Sequence, residues 1–527
     1  MRIDKVHIVT RFKNLEDFKI DIAEAAMETV LLGLNATGKS NFLEALVIIF
    51  RDLDLNFNYN RKQTPPFHFY IKYECRGRNI EVTYKGRYQF KVNDIIVTTE
   101  FTKSVEQYLP KHVFIYYSGI SDRLRDLYIP HQKLYYEQII KEGARLSQFD
   151  SIRRIFLVQN IHANFALIAF FLFPDQSQET LEFLKQELNI TEFGSALFML
   201  KQPVWGKGKT SQDKFWGAKG LVRKLLDDLL KYSFAPIEDK ARISVSYKQA
   251  ETQNRLYLYI KDLADFKKLV ESNYKNKIEL FNALESIYIS DLLHDVKIKV
   301  GKKYVDEELA MSELSEGEKQ LLTVLGLLKF TKDEESLILL DEPDTHLNPM
   351  WKWKYLDYLD KVVKRQASTQ IIFCSHDPLV IGNLKRNQVQ IFKKDATGKT
   401  EASNPFVSPR EMSVSKILTS ELFGIPSLMS KKLEDLLNEK RYLQAKLTRG
   451  GLEESDRRIF DRLTSYFNRI GFNDETVDSR YNRFLQLTSE KEEFVNRKYS
   501  KDEEENLDKI AAEVLDEILK EEEANKK

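Results

Sequence analysis

Residues 33–40 read GLNATGKS. Glycines at 33 and 38 let the backbone curl until consecutive N–H groups point into one concavity, and a helix opening at Lys39 adds its positive N-terminus. Such a cradle suits phosphate oxygens. Lys39 is the residue to reach the β- and γ-phosphates, and the Ser40 hydroxyl is the one to ligate Mg²⁺. A second stretch, LILLDEP (337–343), feeds four apolar residues into two acids. Acids closing a buried strand are costly unless they meet a cation or water. Asp341 is read as a magnesium ligand, direct or through water, and Glu342, aimed differently, as the base that polarises an attacking water. A third stretch, TQIIFCSHDP (369–378), ends an apolar strand near His376, where an imidazole could touch a γ-phosphate. A fourth, SELSEGEKQLL (312–322), is a small-residue turn at Ser315 and Gly317 that opens a helix.

The elements around these residues are those the chemistry needs. METVLLG reads as a short buried strand ahead of the cradle, and KSNFLEALVIIFRDL as an amphipathic helix after it. KVHIVTRF and DFKIDI look like paired strands, and the period-two segments between 68 and 100 like a small antiparallel sheet. KHVFIYYSG (111–119) is a further apolar strand. From about 121 to 300 helical periodicity dominates, with two strand-like pieces, ARISVSYKQ and NRLYLYIKD, and a polar Gly-rich loop at 206–220. Residues 292–398 alternate strand and helix, the pattern of a mainly parallel sheet with flanking helices. Helices are expected again from 400, ending in 27 residues with eleven acids and five lysines, read as a solvated helix or frayed end.

Composition excludes more than it selects. The chain has 527 residues, 42% hydrophobic and 31% charged, with a net charge of +1, so no global field draws it to nucleic acid or membrane. Cys75 and Cys374 give neither a disulfide framework nor a zinc spacing, which points to a reducing, cytoplasmic setting. The apolar run 164–173 is too short to span a bilayer and reads as a buried helix, and MRIDKVHIVTRF does not read as a signal peptide.

In that order the cradle, LSEGEKQ, LLDEP, DTHLNP and SHDP resemble the ATP-binding-cassette ATPases, within them the SMC-type and overcoming-lysogenization-type branch. The resemblance implies an α/β fold: a two-lobed P-loop ATPase head with a mixed sheet. It divides the chain into a first head segment (1–120), a mainly helical insertion (121–295), a second head segment (296–398) and a helical C-terminal region (399–527). It also implies ATP and Mg²⁺ as ligands. Gly33, Asn35, Ala36, Thr37, Gly38, Lys39, Ser40 and Asn41 would contact nucleotide, with Ser40 and Asp341 on the metal, Glu342 as catalytic base and His376 as switch histidine. In the family a second head docks head-to-tail, so Ser315 and Gly317 would serve the γ-phosphate of a partner copy, and Asp344 to Asn348 would lie at the contact. Glu316 and Glu318 are expected to point away from the phosphate. For the family's Q-loop glutamine, Gln159 and the earlier segment YYSGISDRL stay open, and Phe12 or a polar neighbour stays open for the adenine.

YYSGISDRL, FWGAKGLVRKLL and MSVSKILTSELFGIP further resemble the ATPase subunits of Septu-type antiphage systems, including retron-associated forms. That implies a nucleotide-gated regulator of a separate HNH-type nuclease, with a retron reverse transcriptase or its DNA as a further partner. The alternative is an SMC-like DNA-binding or repair clamp whose Lys72, Arg76, Arg78, Lys85 and Arg87 track phosphates. A membrane-transporter motor is the weakest reading, because no membrane segment is expected.

Overall fold

The computed structural model describes residues 1–469 apart from 24–26, 120–122, 145–152, 207–212, 247–248, 331–334, 363–367, 426–428 and 451–452, and beyond 469 only Ile510, Ala511 and Val514. Apart from those three residues, the acidic tail lies outside the described residues, as does part of the Gly-rich loop. The chain divides into two compact units, Met1–Pro426 and Ser427–Lys527.

The first unit is organised by a seven-stranded sheet. Its order is Thr400–Ser403, Val389–Lys394, Glu28–Gly33, Thr369–Cys374, Ser336–Asp341, His112–Tyr117 and Ile155–Leu157. All neighbours pair in parallel except the first two strands, which run antiparallel. Parallel strands buried on both faces read as continuous apolar runs, and SLILLD is the clearest case. Leu337 and Leu339 enter the core on one face, while Ile338 and Leu340 enter the core on the other. The first face is covered by helix Lys39–Phe57 and a six-stranded antiparallel sheet that contains Arg2–Ile8, Phe18–Asp21, Phe69–Cys75, Arg78–Tyr84, Tyr88–Val92 and Ile95–Ile96. The two expected strand groups near the start of the chain thus form one sheet.

The opposite face is covered by helices Asn160–Leu172, Lys277–Ile289 and Glu316–Leu328. The apolar run 164–173 is indeed a buried helix: Phe165 through Phe170 are fully covered.

Two features differ from the sequence reading. The segment 121–295 carries a long strand, Ile190–Lys201, at the centre of a five-stranded antiparallel sheet with Phe234–Ser246, Gln249–Ile260, Leu293–Lys302 and Leu309–Ala310. VKIKVG (296–301), part of the stretch 292–398 expected in the parallel sheet, therefore belongs to this antiparallel sheet and not to the parallel one. The strand is obscured because its register shifts between Phe193 and Ala196, which breaks the two-residue alternation. The first unit also continues past 398, since Thr400–Ser403 pairs with Val389–Lys394 across a turn in which Asp395 Oδ1 accepts from the Thr397 and Lys399 amides. The second unit contains helices Lys431–Gly450 and Glu454–Arg469, joined by an apolar seam of Leu437, Leu443, Leu463 and Phe467.

Candidate nucleotide site

Parallel register brings the separate motifs to one edge. Phe392 stands opposite Gly33, Cys374 opposite Asp341, and Asp341 opposite Tyr117. Gly33, Cys374, Asp341 and Tyr117 lie at the C-terminal ends of their strands, where open α/β sheets bind ligands.

The cradle is shaped from inside and braced from outside. Gly33 has φ 146°, and a Cβ there would sit 2.4 Å from the Phe392 carbonyl oxygen. Thr37 Oγ1 donates to the Leu34 carbonyl at 2.8 Å, Ala36 takes a left-handed φ of 63°, and Gly38 caps helix Lys39–Phe57. Asn14 Nδ2 donates to the Ala36 carbonyl at 2.9 Å, and its Oδ1 accepts from Asn41 Nδ2 at 2.7 Å. Thr400 Oγ1 donates to the Thr37 carbonyl at 3.0 Å. Asn35 is exposed on the turn and Ser40 is half-buried in the first helical turn. Lys39 is buried, and its Nζ donates to the carbonyls of Gly33 at 2.8 Å and Leu34 at 3.3 Å. Burial lowers its pKa, while Cys374, Glu342 and Asp341 oppose that shift.

Asp341 ends its strand 4% exposed, and its Oδ1 has no hydrogen-bond partner. Glu342 sits at φ 51°, a left-handed conformation that is strained for this residue, and its amide donates to the Cys374 carbonyl at 3.1 Å. Its carboxylate lies beside His376, whose Nε2 is 3.4 Å from Glu342 Oε1. Burial depresses the His376 pKa and Lys39 depresses it further, against the pull of Glu342. Asp344 is buried, accepts from Ser375 Oγ at 2.7 Å, and is raised by burial to about 6.

Ser315 caps helix Glu316–Leu328 in a reciprocal box: its Oγ accepts from the Glu318 amide at 3.2 Å, while Glu318 Oε2 accepts from the Ser315 amide at 2.9 Å. Ser315 is exposed and its side chain is engaged within its own turn. Glu318 also pairs with Lys302 at 2.6 Å, and Glu316 with Lys319 at 3.0 Å. Gly317 has a packing role: a Cβ there would lie 2.6 Å from the His346 carbonyl oxygen.

Two side chains belong to this constellation although their roles were not read from the sequence. Gln320 donates to the Glu342 carbonyl at 3.3 Å and accepts from the His346 amide at 2.9 Å, tying the Ser315 helix to the acidic pair. Arg123 places its guanidinium between Asp341 (3.8 Å) and Glu44 (3.7 Å), with Asn41 Oδ1 at 3.4 Å. Both stand in stretches already quoted, Gln320 at the end of LSEGEKQ and Arg123 in YYSGISDRL, but their partners are distant in sequence and are brought to them only by the fold.

Gln159 stands apart from the cradle. It caps helix Asn160–Leu172 after strand Ile155–Leu157, accepts from the Tyr288 hydroxyl, and is separated from the acid strand by His112–Tyr117. The position beside Asp341 is occupied by Tyr117 and Ser118, whose amide donates to the Asp341 carbonyl at 3.3 Å. Phe12 is buried against Phe67, with ring centroids 4.7 Å apart. Of the basic residues on the antiparallel sheet, Arg76 donates to the Leu109 carbonyl at 2.8 Å and Arg78 to Gln107 Oε1 at 3.3 Å.

The AAA ATPase domain family matches residues 1–381. The chain belongs to that family. The chain is also similar to the Septu protein PtuA of Bacillus mycoides (strain KBAB4), 19% identical over 249 residues. That match covers 41% of this chain and 35% of the relative, so the chain spans about a third of the length of the curated protein it matches. Among solved structures, an SmcHead bound to the C-winged helix domain of ScpA has a TM-score of 0.34 at 12% identity, covering 77% of this chain and 98% of that one. The SMC head domain from Thermotoga maritima has a TM-score of 0.32 at 14% identity, covering 77% and 100%.

The donors of the AAA ATPase domain fit a magnesium–nucleotide complex. The buried, unpartnered oxygen of Asp341 is a hard ligand, and Ser40 adds a hydroxyl; Mg²⁺ usually takes few protein oxygens and completes its shell with phosphates and water. No helix among the described residues is long and apolar enough to cross a membrane.

Proposed function

We propose that the chain binds ATP with Mg²⁺ between two copies arranged head-to-tail, hydrolyses it, and uses the nucleotide state to gate a separate effector nuclease in antiphage defence. The observation that carries the nucleotide reading is the convergence of the Gly33–Asn41 cradle, Asp341, Glu342 and His376 at one sheet edge. In this reading the cradle amides and Lys39 hold the phosphates, and Ser40 and Asp341 hold the metal. Magnesium neutralises phosphate charge when bound. Glu342 orients and polarises water, with His376 held beside it as a largely neutral imidazole. Ser315, exposed at the start of its largely buried helix, supports service to another copy's nucleotide.

The defence step rests on the likeness to Septu protein PtuA, and the HNH-type nuclease and retron partners remain part of the same proposal. Light scattering provides the first test. The Glu342→Gln chain with ATP and Mg²⁺ is expected to double its mass from 61.8 kDa, and a monomer under every nucleotide condition contradicts the pairing. Co-purified nuclease whose output ignores both ATP and Lys39→Ala contradicts the gating.

A further inference from the structure

The Arg123 guanidinium lies in an unusual place. It opens helix Arg123–Ile139 and reaches back under the cradle, with its face 5.2 Å from the Tyr117 ring. Its Nη2 is 3.8 Å from Asp341 Oδ2 and its Nε is 3.7 Å from Glu44 Oε2. Both distances are within ion-pair range and beyond a hydrogen bond, so Nε and Nη2 are buried donors without hydrogen-bond acceptors. Glu44 already has a closer cation, Lys13 at 2.5 Å. Among the described ion pairs, Asp341 has Arg123 alone. A magnesium ion taken by Asp341 therefore meets a positive charge already sharing that carboxylate.

We propose that Arg123 is a positioning residue that competes with magnesium for Asp341 and thereby sets the Mg²⁺ concentration at which nucleotide loads. The proposal rests on the ATP–Mg²⁺ reading of the site. Two cations sharing one partly buried carboxylate would repel each other enough to change metal affinity roughly tenfold or more. The same guanidinium orients Asp341 by holding it to helix Arg123–Ile139. Removing it should make the metal easier to bind and the reaction slower.

The test uses the full chain and a fluorescent ATP analogue, with Mg²⁺ titrated and binding read directly. Arg123→Gln is expected to lower the Mg²⁺ half-saturation point about tenfold. At saturating Mg²⁺ it should lower kcat about tenfold while KM for ATP moves less than about twofold, the signature of lost alignment and not lost binding. Arg123→Lys, which keeps the charge, is expected to return the half-saturation point to within about twofold of wild type. Should Arg123→Gln fold poorly, Arg123→Lys and Arg123→Met compared at matched melting temperature carry the same contrast. An unchanged or raised half-saturation point in the neutral variants, with the wild-type chain binding nucleotide normally, overturns the role of Arg123. A wild-type chain that binds the analogue no better than Lys39→Ala instead overturns the nucleotide site, and this proposal with it.

Discussion

At the residue scale, the proposed reaction rests on Glu342. It has a strained backbone conformation, and its carboxylate is beside an imidazole whose pKa burial has lowered. A general base contributes roughly 10²–10⁴-fold to such a reaction. Glu342→Gln should therefore lower kcat for ATP hydrolysis by at least about 100-fold while nucleotide affinity changes less than about twofold, as read by single-turnover hydrolysis and equilibrium binding. A loss of affinity to match would give Glu342 a binding role. The residues given roles in the proposed reaction could be picked out in the sequence because each stands in a local pattern of strand, turn and acid or lysine, and the structure brings them to one end of the sheet. Arg123 and Gln320 fall within the quoted stretches YYSGISDRL and LSEGEKQ, but their contacts were not legible, because they depend on the pairing of His112–Tyr117 with Ser336–Asp341 and on the approach of the Ser315 helix to His346, both distant in sequence.

At the scale of elements, the account turns on how helix and strand ends are held around the site. Gly317 illustrates two opposed effects. In a helix, Gly→Ala normally stabilises by ~1 kcal/mol. Here the added methyl would sit 2.6 Å from the His346 backbone oxygen, and overpacking against backbone costs ~1–3 kcal/mol, so the clash should win. Gly317→Ala is expected to lower the melting temperature; an increase would show that the 346 turn yields freely.

A second element-level prediction concerns Glu28, at the start of the cradle strand. Burial, together with hydrogen bonding and repulsion from Asp360 of helix Tyr355–Val362, raises its pKa to about 8. Between its ordinary 4.5 and about 8 the folded chain holds a proton that the unfolded chain has lost, so this contribution is full at low pH and disappears as pH rises through 8. Glu28→Gln should leave stability near wild type at pH 5 and clearly exceed it at pH 9, measured by denaturant melts. Parallel pH curves for the two chains would contradict the shared proton. The five-stranded sheet shows where sequence periodicity fails at this scale: a shifted register at Phe193–Ala196 hides the strand that its neighbours reveal.

At the scale of the whole molecule, the central claim is that the Ser315 helix of one copy completes the cradle of another. The most direct measurement is complementation between two inactive variants. Lys39→Ala removes the cradle's cation, and Ser315→Arg blocks the helix cap that would face a partner's phosphate. Each chain alone should hydrolyse ATP at background rate. In an equimolar mixture, half of randomly formed dimers are mixed, and each mixed dimer retains one intact site of two, so activity should return to about a quarter of wild type. A mixture that stays at background, while both variants remain folded and exchange partners, would contradict the shared site.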